Sequence, residues 1–132
     1  MPKALARRRR GYEHELEMRQ HRLIGDEPEE DGGTDAGPRP TELLCAALAL
    51  CTAITIEMYA DRKEWELGQV EVAVDEETAT DGKSPRYEVA IRIPEALDEE
   101  QRKRIKVIAS KCPVHRALKS DGVEIADTLT AG

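Results

Sequence analysis

Three cysteines, Cys45, Cys51 and Cys112, are the side chains of this sequence best suited to carry chemistry. A thiolate is a nucleophile and a metal ligand, so the pKa of each thiol decides whether it reacts. Cys112 directly precedes a proline suited to the first turn of a helix, in the segment CPVHRAL. The unpaired amides of a helix N-terminus, together with His115 and Arg116, favour the thiolate form of Cys112. A buried cysteine that only packs at a helix junction is the alternative interpretation.

The other two cysteines lie in one long apolar stretch. Cys51 lies on one helical stripe with Leu44, Leu48, Thr55 and Met58. A thiol buried in such a stripe behaves as a small hydrophobe with a raised pKa. Taken alone, this pattern indicates a packing role for Cys51. Cys45 lies six residues earlier, about 120° around the helix, so the two thiols cannot pair within one straight helix. Packing is the predicted role of Cys45.

Metal and phosphate chemistry have weaker support. Cys112 and His115 have the spacing of a metal-binding pair, which His14 or His21 would have to complete. One such pair without a second is a weak zinc signal. The sequence has no glycine-rich phosphate loop that follows a strand and opens a helix, and no Gly-x-Ser-x-Gly elbow. We therefore expect no metal and no cofactor, and any chemistry is expected to use the thiols.

The composition indicates one small domain with an aliphatic core. A chain of 132 residues suffices for a single core, and only 3% of the residues are aromatic. The net charge of −7 argues against a nucleic-acid-binding surface. The arginine run at positions 7–10 is expected to belong to a flexible basic N-terminal tail over residues 1–10.

The remaining class signals point to the cytoplasm. No apolar segment of a secretory signal follows the arginines. The longest apolar stretch, residues 43–56, is about one turn too short to span a bilayer, so we expect no membrane association. Three cysteines, an odd number, do not suggest a secreted disulfide framework. We expect reduced thiols in a cytoplasmic protein.

The periodicity of the apolar residues predicts an α+β fold. The predicted strands cover residues 12–19, 22–25, 69–75, 86–93 and 122–126. The predicted helices cover residues 41–63, a segment that begins at Asp98 with a capping box to Gln101, and residues 113–118. A turn at Asp81 and Gly82 is expected to close a hairpin between the third and fourth strands. An acidic loop rich in glycine and proline occupies residues 26–40.

The long helix predicts a second subunit. Between Leu43 and Ile56 only Thr52 and Thr55 are polar, and a helix that is apolar all round is buried all round. One small sheet covers one side of such a helix. In so short a chain, a partner subunit is the economical source of the second cover, so we infer a homodimer.

Four stretches read together resemble the OsmC/Ohr family of osmotically inducible and organic hydroperoxide resistance proteins. These stretches are GDEPEEDGGTDAGPRP (25–40), TELLCAALALCTAITIEMYADRKEW (41–65), LDEEQRKRIKVIASKCPVHRAL (97–118) and VEI (123–125). The resemblance implies a single OsmC-like domain over residues 11–132. It also implies antiparallel sheets wrapped around long central helices in an intertwined homodimer.

The same resemblance implies roles for individual residues. Cys51 matches the family's peroxide-attacking cysteine and Cys112 its resolving cysteine, which reverses the ranking that the local sequence indicates. In the hydroperoxide reductases an arginine held by a glutamate activates the first thiol. Arg19 is the best candidate for that arginine and Arg22 the second, whereas the family's glutamate position falls on Thr41, one residue before Glu42.

These matches lead to three hypotheses. The first is an enzyme that reduces organic hydroperoxides through a sulfenic acid on Cys51 and a disulfide with Cys112, with a dihydrolipoamide-type dithiol as reductant. The second is a thiol sensor, or a module that binds a small apolar ligand without turnover. In the third, the thiols only pack.

Overall fold

The computed structural model describes residues 3–77, 84–93 and 96–131. The chain divides into two compact units, Met1–Ala46 and Ala47–Gly132, and the boundary between them falls inside the long helix. The strands are β1 (Leu5–Arg10), β2 (Glu13–Met18), β3 (His21–Gly25), β4 (Glu71–Glu77) and β5 (Arg86–Arg92). The helices are α1 (Pro40–Arg62), α2 (Glu99–Ala109) and α3 (Pro113–Lys119).

The first unit contains an antiparallel sheet in the order β1-β2-β3. The alternation in residues 12–19 predicted β2, and the two-residue turn at Arg19 and Gln20 returns the chain into β3. The sequence did not predict β1. Leu5–Arg10 pair with β2, which corrects the expectation of a flexible tail for that part of residues 1–10.

Ion pairs explain how a run of arginines joins a sheet. The Arg7 guanidinium lies 2.9 Å from the Glu17 carboxylate, and Arg9 lies 3.3 Å from Glu13. These glutamates belong to β2, so opposite charges face each other across the paired strands, which favours the pairing. The basic run is thus partly neutralised by its own sheet.

A buried carboxylate organises the glycine-rich loop after β3. Asp26 is only 3% exposed. Its carboxylate accepts hydrogen bonds from the Glu27 amide at 2.7 Å, the Ala36 amide at 3.0 Å, and the Thr34 hydroxyl and amide at 2.8 and 3.3 Å. The loop is therefore held from within, as a buried carboxylate with several donors requires.

Two glycines allow the loop backbone to pack this closely. A Cβ atom at Gly33 would collide with the Glu27 carbonyl, and one at Gly37 would collide with the Ile24 carbonyl. Both obstacles are backbone atoms, which cannot move aside as a flexible side chain would. The GGTDAGP stretch thus has a structural role.

The second unit has its core between α1 and α2. Ile56 and Ala60 of α1 pack with Ile105 and Ala109 of α2 and with Leu67 in one buried cluster. The partly buried side chains around this cluster are Trp65, Val70, Ile91, Ile93 and Leu97. The sequence predicted that α1 is buried on every side, and within this chain the structure buries the face that carries Ile56 and Ala60.

The local signals around α2 and the hairpin are confirmed where the structure describes them. The Asp98 carboxylate accepts from the Gln101 amide at 2.7 Å, and the Gln101 side chain accepts from the Asp98 amide at 3.0 Å, which completes the predicted capping box. β4 and β5 pair antiparallel from Glu71↔Arg92 to Glu77↔Arg86. The predicted turn at Asp81 and Gly82 lies outside the described residues.

The predicted last strand over residues 122–126 is wrong for this structure. Those residues form no regular element, and Val123 and Ile125 are 59% and 81% exposed. A strand needs a neighbour to pair with its amides and carbonyls. Among the residues described in this single chain, none pairs with this segment.

α1 carries apolar side chains on two opposite faces. Leu48, Thr52 and Ile56 follow one another every four residues and are buried. Leu50, Ile54 and Met58 follow the same spacing about 200° around the helix and are 63%, 42% and 62% exposed. We call these last three residues the open face of α1.

The length of α1 corrects one sequence-based estimate. The helix has 23 residues, and the mean hydropathy of its most apolar 18-residue segment is 1.9. By length and composition it is therefore long and apolar enough to cross a membrane. Of that segment, 22% is buried in the structure. Ile56 and Ala60 of this helix pack in the protein core. For this reason we still predict that the protein does not associate with a membrane.

Asp26→Asn should destabilise the protein and change its response to acid. The amide hydrogen bond from Ala36, with those from Glu27 and Thr34, holds the pKa of Asp26 below its ordinary value of 3.8. A carboxyl with a lowered folded-state pKa stabilises the fold above its unfolded pKa and loses that contribution as the pH falls through its folded pKa. Thermal unfolding should therefore show a melting temperature a few degrees lower for the variant at neutral pH, and no difference in strong acid.

Asp35→Asn in the same loop is the matched control, because Asp35 is exposed. Equal melting temperatures for Asp26→Asn and wild type at neutral pH would contradict the role given to Asp26.

Candidate functional site

Cys112 lies at the start of α3, as the CPVHRAL segment predicted. It is the N-cap residue, with φ −63° and ψ 141°, and Pro113 occupies the first turn. Its Sγ accepts a hydrogen bond from the His115 amide at 3.2 Å. The sulfur thus takes the place of the oxygen that usually caps a helix. Cys112 is fully buried, with 0% exposure.

Cys51 lies in the middle of α1 and contacts the start of α3. Its thiol is hydrogen-bonded to the Cys112 thiol, and it also interacts with the Val114 amide and the Thr55 hydroxyl. Both cysteines belong to the second unit. The structure therefore brings the two sulfurs together within one chain, whereas the sequence placed them 61 positions apart.

Thr52 is a third member of this site that the sequence analysis did not assign to it. Its side chain is 1% exposed, and its Oγ1 lies 3.9 Å from the Cys112 Sγ. The available signal was that Thr52 and Thr55 are the polar residues of an otherwise apolar stretch. A hydroxyl buried in such a stretch needs a partner. In this fold the partner of each is a cysteine.

The surroundings of Cys51 favour its neutral form. Burial raises the pKa of the Cys51 thiol above the ordinary value of 9.0, and the hydrogen bond with the Cys112 thiol raises that pKa further. The Val114 amide and the Thr55 hydroxyl act in the opposite direction. The net result is a thiol at neutral pH. Fast nucleophilic chemistry at Cys51 would therefore require an additional positive group.

His115 contacts the Cys112 sulfur through its backbone amide and an open cavity through its side chain. Its Nδ1 is buried and has no hydrogen-bond partner in the part of the chain that the structure describes. Its side chain helps to line a cavity of about 450 Å³ together with Leu48, Tyr87, Leu118 and Lys119. Among the described residues, no cluster of three or more His, Cys, Asp or Glu side chains has the arrangement of a metal site.

The predicted activating groups belong to the first unit. Arg19 is exposed in the turn between β2 and β3, with a left-handed φ of 55°. Arg22 forms an ion pair with Glu15 at 3.1 Å. A left-handed φ is unfavourable for a residue with a side chain, and such strain is frequent at functional positions. The role of Arg19 stays a prediction.

The start of α1 shows why Glu42 is a poor substitute for the missing glutamate. Thr41 occupies the second position of α1. The Glu42 carboxylate accepts a hydrogen bond from the Arg39 amide at 2.9 Å and lies 3.9 Å from the Arg39 guanidinium. Glu42 therefore closes the first turn of α1. Cys45 is half-buried in the same unit.

A second cavity lies within the first unit. It has a volume of about 660 Å³ and is bordered by Leu16, Pro38 and Leu43, with His14 and Tyr12 also at its wall. Its size is in the range of small-molecule pockets, and its wall is mainly apolar.

Comparisons with solved structures agree with this architecture. The chain is similar to a Psychrobacter arcticus protein named for osmotic stress induction and detoxification response, with a TM-score of 0.79 and 23% identity over 89% of this chain and 88% of that chain. It is also similar to OsmC of Legionella pneumophila, an organic hydroperoxide resistance protein, with a TM-score of 0.66 and 22% identity over 92% of each chain.

A third similar structure is the organic hydroperoxide resistance protein OhrB of Bacillus subtilis, with a TM-score of 0.60 and 19% identity over 89% of this chain and 91% of that chain. At these identities the likeness establishes the α+β fold. A search of curated proteins finds no match. A sequence profile described as OsmC-like protein matches residues 32–126, which include both thiols of the site. The chain therefore belongs to the OsmC-like protein family, as its cysteine-containing motifs predicted.

Proposed function

We propose that this protein is a thiol-dependent redox protein that reduces organic hydroperoxides through Cys51 and Cys112. The observation that carries the proposal is the hydrogen bond between the two thiols at the junction of α1 and α3. Two cysteines whose side chains interact can be oxidised to a disulfide when their Cα atoms lie about 4.4–6.8 Å apart. Relatives with the same fold are named organic hydroperoxide resistance proteins.

The proposed first step takes place at Cys51. Its thiolate attacks the terminal oxygen of the hydroperoxide, so that a sulfur–oxygen bond forms and the oxygen–oxygen bond breaks. The alkoxide leaves with the electron pair and takes up a proton to become an alcohol. Cys51 is left as a sulfenic acid, which is the first level of thiol oxidation.

The proposed second step uses Cys112. Its sulfur attacks the Cys51 sulfenic acid, a disulfide bond forms, and the hydroxide leaves as water after gaining a proton. A dithiol of the dihydrolipoamide type then reduces the disulfide by thiol–disulfide exchange and is itself oxidised. Rapid condensation with the neighbouring Cys112 thiol would protect the sulfenic acid from further oxidation by peroxide. A cytoplasmic location would supply the reducing conditions that this cycle needs.

A homodimer is part of the proposal. The open face of α1, formed by Leu50, Ile54 and Met58, exposes three large apolar side chains on consecutive turns. Val123, Ile125 and Leu129 near the C-terminus are also exposed, at 59%, 81% and 99%. Exposed large apolar side chains on consecutive turns of a helix are typical of an interface. A second copy of the chain is the cover that we propose, and its arrival would complete the intertwined fold.

Two observations favour a second candidate function, a thiol sensor or a module that binds an apolar ligand. Burial raises the pKa of Cys51, which slows its reaction with peroxide. The 660 Å³ cavity of the first unit has an apolar wall suited to a small organic molecule. Steady-state consumption of hydroperoxide in the presence of a dithiol separates the candidates, because a sensor stops after one oxidation.

The roles of the two cysteines predict different products in single variants. Cys112→Ser should trap a sulfenic acid on Cys51 that a dimedone-type probe labels, because the resolving thiol is gone. Cys51→Ser should not be oxidised by the added hydroperoxide, because the attacking thiol is gone. Mass spectrometry after one equivalent of cumene hydroperoxide measures both outcomes.

Cys45→Ala is the matched control and should form the Cys51–Cys112 disulfide as wild type does. A labelled sulfenic acid on Cys112 in the Cys51→Ser variant would reverse the assignment of the attacking thiol.

Arg19→Gly should slow the oxidation of Cys51 without weakening the β2–β3 hairpin. Glycine accepts a left-handed φ more readily than arginine, so the turn keeps its geometry while the guanidinium is lost. A cation that lowers a thiol pKa by one unit raises the thiolate fraction about tenfold at neutral pH. Stopped-flow oxidation should therefore be about tenfold slower or more in this variant.

Gln20→Gly, at the neighbouring turn position, should oxidise at the wild-type rate. If Arg19→Gly also oxidises at the wild-type rate, Arg19 does not activate Cys51.

The dimer predicts a strong effect of charge on the open face of α1. Wild type should sediment as a dimer at micromolar concentration, and Ile54→Glu should dissociate or unfold it because a carboxylate would be buried without a partner. Val107→Glu, at a position of α2 that is 47% exposed, is the matched control and should leave the dimer intact. A folded wild-type monomer at micromolar concentration would refute the dimer.

A further inference from the structure

The His115 side chain occupies a position that the proposed cycle does not yet use. The amide of His115 donates to the Cys112 sulfur at 3.2 Å, so this residue touches the atom that forms the disulfide. The Nδ1 of the same residue is buried without a hydrogen-bond partner in the described part of the chain. An unpaired polar nitrogen inside a protein costs free energy, and a functional role is one reason to retain it.

The chemistry of the second step requires a proton acceptor at this place. Cys112 must lose a proton when its sulfur attacks Cys51, and the departing hydroxide must gain one. Cys112 is fully buried, so bulk water does not reach its thiol directly. Thr52, the other polar contact of Cys112, is a hydroxyl that is a poor base at neutral pH. A neutral imidazole has one nitrogen that accepts a proton and one that donates.

Only four covalent bonds separate Nδ1 from the His115 amide nitrogen that contacts the sulfur. The ring also lines the open cavity of about 450 Å³ in the second unit. The backbone of His115 thus contacts the Cys112 sulfur, and its imidazole lines a space that water can enter. A proton can pass from a thiol to a base directly or through one water molecule.

We propose that His115 is a proton-transfer residue in the formation of the Cys51–Cys112 disulfide. Its imidazole takes the proton from the Cys112 thiol as the sulfur–sulfur bond forms. The sulfur–oxygen bond of the Cys51 sulfenic acid breaks, and the hydroxide receives that proton and leaves as water. This inference rests on the proposed function, because it assigns a residue to its second step.

Two substitutions of His115 test this role without removing the backbone contact to Cys112. His115→Phe keeps a ring but has no nitrogen, and His115→Ala leaves space for a small molecule beside the cavity. Quenched-flow alkylation and mass spectrometry measure sulfenic acid and disulfide separately after one equivalent of cumene hydroperoxide. We expect sulfenic acid to form at the wild-type rate and disulfide formation to slow by about a hundredfold, the usual scale of general acid–base catalysis.

Chemical rescue distinguishes proton transfer from a structural effect. Imidazole added to His115→Ala should restore disulfide formation in proportion to its concentration, and it should leave wild type unchanged. His21→Phe, the same change at an exposed histidine of β3, is the matched control and should form the disulfide at the wild-type rate. A wild-type rate in His115→Phe, or a slow His115→Ala that imidazole does not restore, would overturn the proposal.

An experiment with a second oxidant, diamide, tests the role of His115 separately from the proposed reduction of hydroperoxides. If wild type forms no sulfenic acid with hydroperoxide, the proposed function fails. Diamide then tests His115 independently, because it first adds to the Cys51 thiol and Cys112 next displaces the hydrazine, with loss of the same Cys112 proton. Slower closure of this disulfide in His115→Phe than in wild type would support the role of His115, and equal rates would refute it.

Discussion

The hydrogen bond from the His115 amide to the Cys112 sulfur is the contact on which the site depends. It makes a cysteine the cap of α3, so the sulfur must lie at the exact start of that helix and point back over its first turn. The Val114 amide of the same turn interacts with Cys51. The first turn of α3 therefore contacts both the Cys112 sulfur and the Cys51 sulfur of α1. Cys112 has no exposure to solvent there.

This arrangement has a chemical consequence. Burial raises the pKa of the Cys51 thiol, and the hydrogen bond with the Cys112 thiol raises that pKa further. The pair is thus well placed to form a disulfide and poorly placed to begin the reaction unaided. A further group must therefore activate each thiol. We propose Arg19 for Cys51 and His115 for Cys112. Arg19 would act on the attack and His115 on the condensation.

The sequence predicted those parts that depend on local rules. The capping box at Asp98, the alternation of β2 and the proline after Cys112 each act within a few residues, and the structure contains all three features. The family was also recognisable from its cysteine motifs. The local sequence ranked Cys112 as the more reactive thiol, because the helix start beside it is a local signal. The residues that surround Cys51 are distant in the sequence, so the local sequence does not show them.

The features that the sequence did not predict depend on partners far along the chain. β1 is a run of arginines that reads as a solvated tail until the glutamates of β2 are placed opposite it. The segment with Val123 and Ile125 has the alternation of a strand, but within the described part of one chain it has no neighbour. Thr52 became part of the site only when the fold placed Cys112 beside it.

Peptide mapping of the oxidised wild-type protein shows whether Cys51 and Cys112 form a redox pair. The reduced protein is treated with one equivalent of cumene hydroperoxide, remaining thiols are alkylated, and the digest is searched for crosslinked peptides. We expect a peptide pair joined through Cys51 and Cys112, with Cys45 alkylated. Recovery of Cys51 and Cys112 as alkylated thiols, with the hydroperoxide unconsumed, would contradict it.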